Sequence, residues 1–507
     1  LSPIFLPGDK IMFTTNEVVE EGEPQHVDEY ERGETLQLGV MDRAGGNEVL
    51  GPRNLSHRTF PTLLSDGRVM LTQWDHLGQM NSGHLMIVNP DMGQLREAFG
   101  KEGTGLTNSY FKAVEVSPGR VLAIGSSRDR TIQSGKILDI RLGQVADVDG
   151  VVSADTLRSE ANATFRDLTP SVPVGREPSS QTVGRYYDAF PLNAKDYPDI
   201  LVSWADGPVE SGTLEAAGLV ADFGVYLYDA QKQTRLPIWN DPTKWDIFAR
   251  PLRTRTAPPV IAPSGDGNPN APVLIGSMDA YRSSTNPNLP AGSIYGVRVW
   301  EGFSSEECGI PRDFGTVMQE GHALLGVAPL QSDNSWAAEI PANVPVHLQL
   351  IDNFAMTAVN EPVWFSGKGG EQRFCGGCHE SRTDTTVIQP GLTEAVVVGP
   401  VNMKKDVPRA QRVSNSFGRD EVIGVPWDMA VQPVLTANCA GCHDGTPGAA
   451  NPSYMLMDPE TNQTVTWTFD LSDGPVNIAL GEFMMTGYSR SYVSLLGFDM
   501  ERSEEHT

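Results

Sequence analysis

The sequence predicts a mainly β protein that ends in a small helical domain. Its 507 residues include 51 glycines and 37 prolines, a composition that favours many turns and short strands over long helices. A turn followed by a short apolar strand recurs in the first part of the chain, whereas helical spacing of apolar residues is clear only near the C-terminus. At about 150 residues per domain, the length suggests three domains.

The recurring turn–strand unit predicts an N-terminal β-propeller over residues 1–305. Each copy is a turn rich in Gly, Asp, Pro or Ser that leads into a short apolar strand, and the strands are residues 11–13, 69–71, 121–124, 200–202 and 273–275. Loose repeats of about 40 to 50 residues with insertions are typical of propellers, in which each blade packs only against its neighbours. An irregular β-sandwich is the alternative, because the spacing of the copies is loose. The chain enters directly in a strand, so we expect its N-terminus to be incomplete.

The sequence of residues 306–424 predicts a strand-rich middle domain that resembles a small β-sandwich. Strands are expected over residues 323–330, 335–341 and 346–352. In the last of these, Val346, Leu348 and Leu350 alternate with His347, Gln349 and Ile351. The two sets of side chains are therefore expected on opposite faces of a sheet.

Residues 425–501 predict an α-helical C-terminal domain. Val431, Val434, Leu435 and Cys439 follow the i, i+3, i+4 spacing of one helical face, which predicts a helix over residues 427–438. A second helix is expected from residue 491 to residue 496. Residues 502–507 are interpreted as a sequence artefact and are left out of the predicted fold.

The charge of the chain argues against two classes of partner. Acidic residues outnumber basic residues by 64 to 38, which gives a net charge of −26. Such a surface repels phosphate backbones and anionic lipids, so we expect no binding to nucleic acid or to a membrane surface. No stretch approaches about 18 consecutive apolar residues, so we also expect no transmembrane segment.

Four of the five cysteines fall in two copies of a C-x-x-C-H motif, at residues 375–379 and 439–443. This motif attaches c-type haem, because its two thiols add to the porphyrin vinyl groups and the adjacent histidine is placed to bind iron. The sequence therefore predicts two covalent haem c groups. Their attachment residues are Cys375, Cys378, Cys439 and Cys442, and the proximal iron ligands are His379 and His443.

Paired cysteines have two other uses in proteins. A Cys₄ zinc site could be built from the two C-x-x-C pairs, although the histidine after each pair would then be unexplained. A redox dithiol would accompany a βαβ pattern, which this sequence does not show. Cys308 stands alone and is interpreted as a small buried residue. Because haem c is attached outside the cytoplasmic membrane, we expect a periplasmic or extracellular protein.

The ligand on the far side of each iron decides between electron transfer and catalysis. A second His or a Met closes the iron, whereas an open position admits small molecules. The candidates are His322 and His347 for the first haem. Met484 and Met485, which lie 42 and 43 residues after Cys442, are the candidates for the second. Ordinary packing is the competing interpretation for each of these four side chains.

The order of these features resembles the alpha subunit of hydrazine synthase and its dihaem relatives. The resemblance is carried by a strand-rich block over residues 326–350, by residues 373–382 around the first motif and by residues 431–445 around the second. It implies a propeller, a middle domain with one haem and a C-terminal cytochrome c-like domain with a second haem.

The resemblance also implies a chemistry, from which this sequence departs. The family's enzyme makes hydrazine from nitric oxide and ammonium at its first haem, where a Tyr soon after the motif binds iron and the motif His contacts zinc. Here no Tyr occurs between Cys378 and Tyr454, and Thr383 stands where the Tyr is expected. This departure argues against hydrazine formation, and His379 is interpreted as an ordinary proximal ligand.

Three functions remain open from the sequence. The first is an exported dihaem cytochrome c that transfers electrons to a redox partner protein, with the propeller as scaffold or docking surface. The alternative is a multihaem oxidoreductase that acts on a small nitrogen or oxygen compound at the first haem, as a subunit of a larger complex. The third is a binding module in which residues 147–150 or 265–268 hold Ca²⁺, although both segments also read as turns.

Overall fold

The computed structural model describes residues 2–17, 26, 33–77, 80–100, 109–126, 134–142, 165–172, 183–193, 197–207, 209, 220–265, 267–283, 289–304, 320–360, 364–378, 388–403, 412–414, 420–422, 427, 431–457, 464–480 and 483–496. This part of the chain is mainly β, as predicted, with only short helices. None of the described helices has the length and hydrophobicity that a membrane-spanning helix needs.

The first sixteen strands form four antiparallel units of four strands each. They are β1 (Ile4–Leu6), β2 (Lys10–Thr15), β3 (Gln37–Asp42), β4 (Val49–Leu50), β5 (His57–Leu63), β6 (Val69–Leu77), β7 (Met80–Val88), β8 (Arg96–Phe99), β9 (Ser109–Ser117), β10 (Arg120–Ser126), β11 (Lys136–Arg141), β12 (Phe165–Asp167), β13 (Arg185–Pro191), β14 (Ile200–Ala205), β15 (Gly224–Asp229) and β16 (Thr234–Trp239). Within each unit, consecutive strands pair, and a parallel contact of β7 with β9 joins the second and third units into one eight-stranded sheet. The first four predicted turn–strand copies supply the second strand of each unit.

Successive units stack face to face, because their central strands are apolar on both sides. In β6, Val69 packs toward the first unit whereas Met70 packs toward the third. In β10, Val121 packs toward the second unit whereas Leu122 packs toward the fourth. Burial on both sides of a strand is what stacked blades require. The sheets stay open within the described part of the chain, so a closed propeller remains a prediction.

Two further sheets share one core and form the predicted sandwich. Their strands are β17 (Val273–Ser277), β18 (Gly296–Ser304), β19 (Glu320–Pro329), β20 (Trp336–Ile340), β21 (Val346–Ile351), β22 (Thr357–Asn360), β23 (Gln372–Cys375) and β24 (Val401–Asn402). One sheet has the order β23-β17-β20-β24 and the other β19-β18-β21-β22. Ile275 and Trp336 from the first sheet meet Val299 and Leu350 from the second. We call this cluster the sandwich core.

The sandwich takes strands from both sides of residue 305. The fifth turn–strand copy, β17, pairs antiparallel with β20 and parallel with β23, so it does not begin a fifth consecutive unit. The alternation predicted for β21 is confirmed, since Val346 and Leu350 face the sandwich core. A 3₁₀ turn (Pro390–Leu392) and helix α1 (Glu394–Val398) follow the sandwich strands.

The C-terminal part is mixed rather than α-helical where it is described. Helix α2 (Gln432–Asn438) confirms the second half of the helix predicted over 427–438, and α3 (Arg490–Leu496) confirms the later one. The hairpins β27–β28 and β29–β30 were not predicted from the sequence. These strands are β27 (Ser453–Met457), β28 (Thr464–Thr468), β29 (Pro475–Leu480) and β30 (Phe483–Ser489), and a small pair, β25 (Arg412–Ser414) with β26 (Asp420–Val422), precedes them. In β28, β-branched and aromatic side chains favour the strand over a helix.

Candidate haem-attachment sites

The first C-x-x-C-H motif lies at the end of β23, beside β17. The two strands run parallel, with Ser277 opposite Cys375. Beyond the strands, the motif stays hydrogen-bonded to the residues that follow β17. The amide of Met278 donates to the carbonyl of Cys375 over 3.0 Å, and the amide of Cys378 donates to the carbonyl of Arg282 over 2.9 Å. Backbone hydrogen bonds therefore hold both cysteines at the end of a sandwich sheet.

The two thiols of the first motif differ in exposure. Cys375 is exposed, whereas Cys378 is half-buried against the sandwich core, with its Sγ 3.7 Å from the Oγ of Ser277. Gly377, to which the sequence analysis gave no role, comes so close to Arg282 that an added Cβ would lie 2.0 Å from its carbonyl oxygen. A glycine is therefore required inside this motif. The motif histidine, His379, lies outside the described residues.

The second motif begins where α2 ends. The amide of Cys439 donates to the carbonyl of Leu435 over 2.8 Å, and the amides of Cys442 and His443 both donate to the carbonyl of Cys439, over 3.1 and 3.0 Å. These bonds form a tight turn that carries both thiols and the histidine. Cys439 is half-buried and Cys442 is exposed.

Contacts that the sequence analysis missed orient the imidazole of His443. Its Nδ1 lies 2.8 Å from the carbonyl oxygen of Ala450, and its ring meets the ring of Phe469 edge-on with 5.3 Å between centroids. The amide of Leu471 also donates to the carbonyl of His443 over 2.8 Å. Because a carbonyl oxygen can only accept, Nδ1 carries the proton. The lone pair of the neutral ring is then on Nε2, the form in which His binds a metal ion.

Two carboxylates hold the loop that follows the second motif. Asp444 accepts a hydrogen bond from the amide of Thr446 over 2.9 Å and another from the side chain of Asn451 over 3.0 Å. These bonds, the backbone one first, hold the pKa of Asp444 below its ordinary value. Asp470 is buried and lies 3.0 Å from the guanidinium of Arg490, which ties the loop to α3.

A buried amide connects α2 with the rest of this domain. Gln432 is the buried residue of α2, and its Oε1 accepts from the indole of Trp427 over 3.3 Å and from the hydroxyl of Ser491. Its Nε2 donates to the hydroxyl of Thr436 and to the carbonyl of Leu471, each over 3.2 Å. The position of α2, and with it that of the second motif, therefore depends on one polar side chain.

Exposed apolar side chains lie on α2, which leads into the second motif, and on segments that follow each motif in the chain. Val434 on α2 is 58% exposed and Met455 on β27 is 74% exposed. Near the first motif, the segment with exposed Leu392 and Val397 is joined to Met278 by a contact from the amide of Gln389 to its Sδ over 3.4 Å. Apolar surface left open to water is typical of a binding surface. Thiols, an oriented imidazole and open apolar surface together fit a covalently bound porphyrin at the second motif.

The four candidate distal ligands have different outcomes. His347 is buried with its ring 5.2 Å from that of Trp364, on the face of β21 opposite to Val346, whose cluster includes Cys378. The sheet therefore lies between His347 and the first motif. His322 lies in β19, and Met484 and Met485 lie in β30; their side chains are outside the described residues, so their roles stay predictions.

The described residues do not form the alternative metal sites. They include all four motif cysteines, yet no three His, Cys, Asp or Glu side chains among them come together as ligands of a metal ion. The two cysteine pairs thus do not meet in a Cys₄ site. Of the Ca²⁺ candidates, residues 147–150 lie outside the described residues, and Asn268 accepts from the amide of Asn270 as in an ordinary turn. Cys308 also lies outside the described residues.

The model of the hydrazine synthase alpha subunit middle domain matches residues 295–380, from β18 to the end of the first motif. This part of the chain is therefore similar to the middle domain of the hydrazine synthase alpha subunit. The resemblance stated from the sequence is therefore confirmed.

Solved structures agree with this assignment at the level of the fold. The chain is similar to Kuenenia stuttgartiensis hydrazine synthase, with 17% identity over 98% of this chain and 69% of that one, and a TM-score of 0.58. Its similarity to the C-terminal domain of Pseudomonas aeruginosa PilY1, with 11% identity over 93% of this chain and 84% of that one, has a TM-score of 0.24, which is too low to indicate a shared fold. No curated protein matches the chain significantly.

Proposed function

We propose that this chain is a haem c oxidoreductase subunit that acts on a small nitrogen or oxygen compound at its first haem and relays electrons through its second. The observation that carries the proposal is the position of the first C-x-x-C-H motif, which ends the segment that matches the family's middle domain. A motif inside the domain that defines the family favours catalysis there over simple electron transfer. Because Thr383 stands where the family's enzyme has its iron-binding Tyr, we do not propose that this chain forms hydrazine.

Each residue of the second motif has a distinct role in this proposal. Cys439 and Cys442 would form thioethers by adding their S–H groups across two vinyl groups, and His443 would bind iron through Nε2. The carbonyl of Ala450 accepts a hydrogen bond from the Nδ1–H group, which fixes the ring plane and makes Nε2 more basic. When bound, the haem supplies one-electron redox chemistry.

Cys375, Cys378 and His379 would hold the first haem in the same way. Haem c attachment implies a periplasmic or extracellular location, and electron relay implies a redox partner. The similarity to hydrazine synthase supports the proposal that the chain works as a subunit of a larger complex.

The haem content tests the proposal in the full-length, haem-loaded protein. Intact mass and the pyridine haemochrome spectrum should show two covalent haems. Cys439→Ala/Cys442→Ala should lose one of them and Cys375→Ala/Cys378→Ala the other, whereas the matched control Cys308→Ala should keep both. Zinc in place of haem, or two haems in either double variant, would contradict the proposal.

Carbon monoxide binding separates catalysis from relay. We expect one high-spin haem that binds carbon monoxide after reduction, in the wild type and in Cys439→Ala/Cys442→Ala but not in Cys375→Ala/Cys378→Ala. Two low-spin haems that ignore carbon monoxide would leave an electron-transfer cytochrome and reject catalysis at the first haem.

A further inference from the structure

An exposed segment between β16 and β17 differs in charge from the rest of the chain. Residues 245–264, which we call the strap, contain no regular secondary structure. Their only acidic residue is Asp246, whereas Arg250, Arg253 and Arg255 lie within six positions of one another. A basic segment in a chain with a net charge of −26 provides a local surface that attracts acidic groups.

The strap is fixed at both ends. At its start, the indole of Trp245 donates to the carbonyl of Ala221 over 2.7 Å, and the amide of Asp246 donates to that of Phe223, also over 2.7 Å. At its end, the amide and hydroxyl of Ser264 donate to Asp91 over 2.6 and 2.7 Å. The segment between these anchors is therefore held in place from the fourth unit to the second.

The three guanidinium groups surround one aromatic ring. Their central carbons lie 5.1, 5.7 and 5.3 Å from the ring centroid of the buried Phe190, for Arg250, Arg253 and Arg255 respectively. Arg250 is paired with the buried Asp188 at 2.7 Å, so it belongs to the anchor. Within the described part of the chain, neither Arg253 nor Arg255 makes an ion pair, and both are exposed.

The backbone between the anchors is open as well. Among the described residues, positions 249–263 make no backbone–backbone hydrogen bond. Residues 252–257 contain no proline, so each has an amide that can donate. Leu252, at their start, is fully exposed. A backbone with open amides and carbonyls can accept another strand, and alternate positions of such a strand face the same side.

We infer that residues 252–257 are a docking site for an extended acidic segment of a partner protein. The partner's strand pairs with the strap backbone, places carboxylates from alternate residues on Arg253 and Arg255, and covers Leu252 with an apolar side chain. A second copy of this chain fits less well, because two molecules that each carry a charge of −26 repel one another.

A labelled peptide of alternating Glu and Val residues is a direct probe, measured by fluorescence anisotropy on the full-length, haem-loaded protein. Arg253→Glu/Arg255→Glu should weaken binding at least about tenfold, because both charge-assisted contacts become repulsive. Arg43→Glu/Lys232→Glu, a matched change at two exposed cations elsewhere, should bind like the wild type. Leu252→Ala should weaken binding without changing its dependence on salt, and bound peptide should slow amide exchange at residues 252–257.

Several outcomes would overturn the inference. Equal binding by the two charge-reversal variants would show that the strap is not the site. A peptide with Lys in place of Glu that binds equally well, or displacement by inorganic phosphate at the same concentration as peptide, would exclude acidic-strand recognition. A dimer in sedimentation velocity that Arg253→Glu/Arg255→Glu abolishes would assign the strap to a second copy of the chain.

Discussion

Replacing Gln432 with alanine should loosen α2 and, with it, the second C-x-x-C-H motif. The change removes both the acceptor of Trp427 and Ser491 and the donor to the carbonyl of Leu471. Each hydrogen bond contributes about 1 kcal/mol net, Trp427 and Ser491 keep a bond to each other over 3.1 Å, and the exposed Thr436 can bond to water. With about 1 kcal/mol for each of the three hydrogen bonds that Trp427, Ser491 and Leu471 lose, we expect a loss of about 3 kcal/mol in the local free energy of opening.

Hydrogen exchange followed by mass spectrometry measures this loss in peptides that cover residues 431–443. A loss of about 3 kcal/mol corresponds to exchange that is roughly 150-fold faster when opening is at equilibrium. Asn438→Ala is the matched control, since its side chain also makes a hydrogen bond on α2 but is exposed, and it should change opening by at most about 0.5 kcal/mol. Exchange in Gln432→Ala no faster than in Asn438→Ala would refute the reasoning.

Three further predictions concern the stacked units. Burial raises the pKa of Tyr186 to about 12, so folded Tyr186 stays protonated at a pH at which unfolded tyrosine has already ionised, near pH 10. The free energy of unfolding, measured in urea, should be constant below about pH 10 and fall by up to about 3 kcal/mol by about pH 12. The same pH dependence of stability in Tyr186→Phe would contradict this. The Nζ of Lys112 lies 3.4 Å from the ring centroid of Tyr187, and Lys112→Met should cost about 2 kcal/mol and lower the thermal transition; an unchanged transition would reject a stabilising contact. Asp188→Asn removes the carboxylate that pairs with Arg250, so the strap should open more often and trypsin should cut it about tenfold faster. An unchanged cleavage rate would show that this ion pair does not anchor the strap.

Local sequence patterns predict many of the strands. A turn and the strand after it are set by residues next to one another, so the second strand of each unit and the alternation in β21 could be predicted. The C-terminal hairpins were missed because strands of five to seven residues carry a weaker signal than a helix that leads into a motif. The pairing of β17 with β23 could not be predicted either, since its partners are separated by almost a hundred residues.

The candidate sites divide in the same way. The C-x-x-C-H motifs can be recognised from the sequence alone, because haem attachment needs two thiols and an imidazole at fixed short spacing. Only the tertiary structure decided which nitrogen of His443 carries the proton and how its ring is oriented, because it brings the carbonyl of Ala450 and the ring of Phe469 to the imidazole. Structure also separated His347 from the first motif and gathered three arginines around Phe190. Covalent chemistry depends on neighbours in the chain, whereas hydrogen bonding, burial and charge depend on neighbours in space, and folding alone sets those.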